Sequence, residues 1–142
     1  METSPVNISR NHDHCFVCGK KNPCGLGVDF TSENELTTGS FIACEGLESI
    51  NGVIHGGILT SLMDAAMTRW LFDRGVIAFT AILKVRFRIA VSPGQQLHLI
   101  ARNRKQRGRR FYMEARLYNG QDMEVASSEA LFLQSGRPVR DK

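Results

Sequence analysis

Apolar and polar positions alternate at Leu26, Val28 and Phe30 and again over 36–44, with a polar turn at Ser32–Glu35 between them. The chain therefore opens its ordered part with two short strands. The period then changes. Ile58, Leu59, Leu62, Met63, Ala66, Met67, Trp70 and Leu71 recur at helical spacing, which predicts one long helix running to about Phe72 and stopped near Gly75. Beyond it, Ala81, Leu83, Val85, Phe87, Ile89 and Val91 line one face of a long strand, and Thr80, Lys84, Arg86 and Arg88 the other. Pro93-Gly94 turns that strand, and further strands follow near 96–104, 110–118 and 123–134, with Asn119-Gly120 as the hairpin signal between the last two. One helix among six strands joined by short turns is an α+β protein, its antiparallel sheet packed on one face by the helix.

Composition narrows the picture. The chain of 142 residues, 42% hydrophobic and 23% charged, fits one globular domain able to bury a core without disulfides or a structural metal. We expect a mobile lead over 1–14, a single domain over 15–135 and a tail over 136–142. No apolar run is long enough to span a bilayer, and METSPVNISR has no apolar signal core. The expected location is the cytoplasm, with no membrane partner. Net charge is +4 but unevenly spread: no Asp or Glu falls between Arg74 and Met113, whereas nine Lys and Arg fall between Lys84 and Arg110. Such a field favours a polyanionic ligand. The run Arg102 to Arg110 lacks interleaved aromatics and sits at an expected hairpin tip, so a solvated turn outweighs coenzyme phosphates, and nucleic acid is not expected as a partner.

Two features of the helix point to chemistry. His55-Gly56-Gly57 stands at its start, where backbone N–H groups lack partners and a side chain does not cover Gly57, the arrangement by which a helix presents a donor to a carbonyl or an anion. Gly57, Ser61, Asp64 and Thr68 then form one small polar stripe on an otherwise apolar helix. Asp64 reads either as a core carboxylate satisfied by a neighbouring hydroxyl or as a functional group, and His55 as a local capping residue or a ligand contact. Near the N-terminus, His12, His14, Cys15, Cys18 and Cys24 offer the ligand types of a zinc site, but without a second separated ligand pair. Reduced buried thiols and no bound metal are the expectation.

HGG with an Asp nine residues after the His, together with CFVCGKKNPCGL at 15–26 and the Thr80 to Gly94 strand ending in Pro-Gly, resembles the hotdog-fold acyl-CoA thioesterases. The resemblance is to the phenylacetate-pathway branch and covers roughly residues 15 to 135. It implies a sheet wrapped around the central helix and hydrolysis of an acyl-CoA to a free acid and coenzyme A, without cofactor, in a homodimer or a dimer of dimers. Asp64 is then general base or nucleophile, and the Gly57 N–H polarises the thioester carbonyl. By the same resemblance His55 orients the thioester or helps fix the loop, Thr80 holds the water, and Gly56 and Ser61 contact the substrate, whereas the charge distribution makes Lys84, Arg86 and Arg88 rivals of the Arg102 to Arg110 run for the coenzyme phosphates.

Gly57 and Asp64 lie about 10.5 Å apart along one helix, too far to serve one thioester. A site built by two subunits, Gly57 of one facing Asp64 of the other, is therefore expected. Several relatives carry Asn or Gln six residues before the His, where this chain has Ser49, with Asn51 nearby. A non-catalytic acyl-CoA-binding protein on the same fold is the main alternative, although too few residues precede Leu26 for the DNA-binding helices of known sensors. A hotdog dehydratase and a small zinc or nucleic-acid-binding module fit less well.

Overall fold

A computed structural model describes residues 11–136. Six strands and one helix follow in the order β1 (Phe30–Glu33), β2 (Leu36–Ile42), a single 3₁₀ turn at Glu45–Leu47, α1 (Gly56–Phe72), β3 (Ala78–Phe87), β4 (Gln96–Arg107), β5 (Arg110–Tyr118) and β6 (Glu124–Gln134). The strands form one sheet of spatial order β1-β2-β4-β5-β6-β3, antiparallel throughout. This is the expected α+β architecture. Because α1 and β3 intervene between β2 and β4, β3 is carried to the far edge, where its only strand neighbour is β6.

The helix is buried on most of its circumference, through Leu59, Leu62, Met63, Ala65, Ala66, Met67, Trp70 and Leu71. A helix of that kind needs room on the sheet beneath it. Across the strands, Thr37 pairs with Ala101, Ala101 with Ala115, Ala115 with Ser128 and Ser128 with Val85. The first four are buried and small, and they form a shallow trough in which helix Cα atoms come within 8 Å of those of β4 and β5. Leu97, Leu99, Met113, Leu117 and Phe132 fill the space around it. Gly75, at φ +82, ends the helix: its N–H donates to Phe72 O and that of Val76 to Leu71 O, the paired closure that glycine permits. The Trp70 indole N–H donates to Glu35 O at 2.9 Å and ties the helix end to the β1–β2 turn.

Several expectations are corrected. Residues 26–28 are not strand: Gly27 takes φ +73, and Leu26 and Val28 donate to Phe16 O and Val17 O, so this segment braces the N-terminal loop. The packed chain starts before Cys15, since the His12 ring stands edge-on to Phe72 at 4.3 Å; residues 1–10 and 137–142 lie outside the described residues. Asn119-Gly120 does fall in the hairpin between β5 and β6, as expected, but the connection spans 119–123 rather than two residues. The Asn119 side chain instead accepts from the N–H groups of Gln121 and Met123, and Asp122 supplies the left-handed residue at φ 60. Nor is the basic run a loop, because Arg102–Arg107 belong to β4 and Arg110 to β5, leaving only Gly108 and Arg109 to turn.

The correction that matters most is in β3. The register slips between Thr80 and Ile82, leaving Ala81 without a partner on β6. A strict alternation placed Thr80 with Lys84 on the outer face; the bulge turns Thr80 inward, opposite the fully buried Phe132, while Leu83 and Val85 stay on the helix side.

Filling the trough should be costly. Ala115→Leu is expected to lower stability by about 1–3 kcal/mol through overpacking, measured by urea denaturation, whereas Ile100→Leu on the same sheet should change it by less than about 1.5 kcal/mol.

Candidate active site

The bulge brings Thr80 to the middle of α1, where its hydroxyl donates to Asp64 Oδ1 at 2.7 Å. Asp64 is half-buried, and burial pushes its carboxyl above the usual Asp range. The Thr80 hydrogen bond opposes that rise, and the nearby Cys15 sulfur adds to it. Cys15 is itself held low by hydrogen bonds from the Cys18 thiol and His12, and the bond that lowers Cys15 raises Cys18. Beside this pair lies a mainly apolar pocket of about 260 Å³ whose lining includes Thr68, Phe72, Phe79, Thr80 and His12. Thr80 lines that pocket, and the carboxylate of raised basicity that it holds is suited to taking a proton from a water molecule.

A second polar group forms at the helix start. His55 caps α1, and its Nδ1 accepts the Gly57 N–H at 2.8 Å. The expected bare donor at Gly57 is therefore corrected: that N–H is taken by His55, and a Cβ there would lie 3.0 Å from the same ring nitrogen. Among the described residues it is the Gly56 N–H that meets no acceptor. Gly56 also lies under the Phe87 ring, which a Cβ would approach to 3.3 Å. Ser61 and Thr68, expected to present hydroxyls along the stripe, donate them instead to the backbone oxygens of Gly57 and Asp64, at 2.8 and 2.9 Å. His55, Gly57 and Ser61 line a shallow cavity of about 340 Å³.

One chain thus holds two polar groups, His55-Gly56-Gly57 and Asp64-Thr80, separated by about 12 Å of helix. It does not bring Lys84, Arg86 and Arg88 to either. Lys84 and Arg86 belong to β3 and Arg88 follows its last residue, and all three line a separate cavity with residues of β5 and β6. The basic stretch is acid-free in sequence only, because Glu114, Glu124 and Glu129 stand among these cations from β5 and β6. Arg88 donates to Glu124 at 2.8 Å, Arg102 to Glu114 at 2.6 Å and Arg104 to Glu129 at 2.9 Å. Lys84 and Arg86 have no ion pair among the described residues. The residues that sequence reasoning missed are His12 and Phe79 on the pocket wall and Phe87 over Gly56. Phe87 was on the expected apolar face of the strand, with Leu83 and Val85, but nothing in the sequence tied it to Gly56.

The thioesterase superfamily profile matches residues 51–126, a span that contains both groups. The chain belongs to the thioesterase superfamily. Solved members show the same hotdog fold. The Escherichia coli PaaI protein of the phenylacetic acid degradation operon superimposes with a TM-score of 0.75 at 22% identity over 81% of this chain and 84% of its own. A conserved Pseudomonas aeruginosa protein gives 0.69 at 28% identity over 78% and 90%. A Streptococcus pneumoniae hypothetical thioesterase solved with coenzyme A gives 0.73 at 14% identity over 78% and 87%. That last protein was also solved as an Asp-to-Ala and a Thr-to-Ala variant, at positions 16 residues apart, the separation of Asp64 and Thr80 here. No curated protein sequence matches the chain. Among the described residues no helix is long and apolar enough to cross a membrane.

The raised carboxyl has a consequence for stability. Folded Asp64 binds its proton more tightly than unfolded Asp64, so its ionisation costs the fold stability as pH rises through the window from the ordinary value of about 3.9 to the raised one, and the cost persists above it. Asp64→Asn, which keeps an acceptor for Thr80, is expected to raise Tm at pH 7 and to leave it nearly unchanged at pH 3.5, as read by calorimetry at both pH values.

Proposed function

We propose that the protein is an acyl-CoA thioesterase that hydrolyses its substrate to a carboxylic acid and coenzyme A at a site shared between two copies of the chain. The observation that carries this reading is the Thr80–Asp64 hydrogen bond beside an apolar pocket. An Asp and a Thr at the same separation in the coenzyme A-bound streptococcal protein support it. Asp64 acts as general base. It takes a proton from water while the water oxygen bonds to the thioester carbon, and the carbonyl electrons move onto oxygen. Gly56 N–H, at the positive end of α1, stabilises that oxyanion. Collapse breaks the C–S bond, and the proton held by Asp64 passes to the departing thiolate. Thr80 orients the carboxylate and keeps it ionised at working pH. His55 fixes the loop through the Gly57 N–H.

The second copy is required by distance, since Gly56 and Asp64 of one chain cannot reach one carbonyl. Support for it comes from β3: an edge strand with Phe79 49% and Ile82 61% exposed is a surface that another chain can cover. A homodimer, or a dimer of dimers built on it, is the assembly that completes the site. Lys84 and Arg86, uncommitted to local acids, are the cations best placed to meet the phosphates of coenzyme A at that edge.

Asp64→Asn is expected to lower kcat at least about 10²-fold with an acyl-CoA panel in a free-thiol assay, because the amide cannot accept the proton. Thr80→Val should move the acid limb of the kcat profile to higher pH, since it removes the hydrogen bond that favours the ionised form. Thr80→Ser should restore the limb. An Asn variant within a few-fold of wild type would exclude Asp64 as the base.

A further inference from the structure

The N-terminal loop carries a second constellation that thioester hydrolysis does not use. His12, Cys15 and Cys18 place one ring nitrogen and two sulfurs within 4.8 Å of one another, with Cys18 Sγ and His12 Nδ1 3.8 Å apart. Ligands at about 2.3 Å (sulfur) and 2.0–2.1 Å (nitrogen) from a tetrahedral zinc stand roughly 3.5–3.8 Å from each other, so the cluster needs little adjustment to close on an ion. In sequence these residues lacked a separated ligand pair. In space they do not need one.

The backbone is shaped around the first sulfur. Val17 N–H donates to Cys15 Sγ at 3.4 Å, and Gly19 N–H returns to Cys15 O at 2.9 Å. A side chain at Gly19 is excluded, because a Cβ would lie 2.4 Å from Cys15 N and 2.5 Å from Asp13 O. A tight Cys-x-x-Cys-Gly turn whose amide points at sulfur favours the thiolate form that a metal ion takes. Support continues outward. An Arg69 guanidinium N–H lies 3.5 Å from Cys18 Sγ, and the same guanidinium is held by Asp73 at 3.3 Å. Packing of the His12 ring on Phe72 fixes its orientation. Outer contacts of this kind orient ligands in metal sites.

We propose that His12, Cys15 and Cys18 bind a zinc-class divalent ion, with three protein ligands and a fourth position left to an exchangeable ligand. The donor set of two thiolates and one imidazole selects a borderline-soft ion and disfavours magnesium or calcium. His14 and Cys24 are exposed and stand outside the cluster. Bound there, the ion cross-links the N-terminal loop where Cys18 meets Arg69 and His12 meets Phe72 of α1, next to the pocket that His12 and Thr80 share. The proposal is independent of thioesterase activity, and its test reads metal alone.

The full chain, stripped with chelator under reducing conditions and shown to hold four reactive thiols, is titrated with cobalt(II) as the spectroscopic probe. The expected result is one ion per chain, with a thiolate-to-cobalt charge-transfer band and the intense visible bands of tetrahedral coordination, both erased by an equivalent of zinc. Cys18→Ser and His12→Ala should weaken zinc binding by more than the roughly 10–100-fold typical of losing an outer partner, and Cys24→Ser should not change it. A wild-type chain with four free thiols that gives no such band overturns the proposal whatever the variants do. So does a Cys24→Ser chain that loses the ion as completely as Cys18→Ser.

Discussion

A carboxylate in the middle of the one core helix survives only because something donates to it. Leu62, Met63, Ala65, Ala66 and Met67, its neighbours along the chain, are buried and apolar, and an unsatisfied carboxylate there would be strongly destabilising. The donor is Thr80, and it arrives through one irregularity: the unpaired Ala81 in β3. Without that extra residue, Thr80 would sit on the outer face beside Lys84, and Asp64 would have no side-chain partner. Burial, which raises the carboxyl, and the hydrogen bond, which lowers it, therefore set the basicity of one group from opposite sides.

The same helix is the reason for proposing that a site is shared between two chains. Its N-terminus offers an unpartnered amide at Gly56 with the helix dipole behind it, but the rigid helix keeps that donor about 12 Å from the base it would serve. His55 is not spare capacity for this purpose, as its ring occupies the adjacent Gly57 amide. The strand that supplies Thr80 is also one of the two edges of the sheet among the described residues, with apolar side chains exposed along it. Covering that edge and completing the site are, on this account, the same event.

Much of this was legible in sequence, and the failures have physical causes. The helix was readable because its apolar spacing, its His-Gly-Gly start and Gly75 at its end agree. Asp64 stood out as a charge in an apolar element, although Thr80 was given a water to hold rather than the carboxylate. Strict alternation misplaced the face of Thr80, because a bulge leaves no local mark when the extra residue is an ordinary Ala. The free donor shifted from Gly57 to Gly56 because a cap depends on a side-chain rotamer rather than on spacing. The acid-free basic stretch dissolved once β5 and β6 laid Glu114, Glu124 and Glu129 among its cations, since cross-strand neighbours are distant in sequence. That His12, Cys15 and Cys18 come within 4.8 Å of one another was not legible either, because spacing along a chain does not reveal how closely a turn folds on itself.

The central claim is that Asp64 of one subunit works with Gly56 of another, and subunit mixing tests it most directly. Asp64→Asn removes the base, and Gly56→Pro removes the donor N–H at a first helical position that tolerates proline. Each variant alone should be inactive. After dissociation and random re-association, confirmed by native mass spectrometry, half of the dimers are hybrids with one intact site each, so activity should recover to about one quarter of wild type. Confirmed hybrids with no recovery would contradict a shared site and confine the chemistry to a single chain.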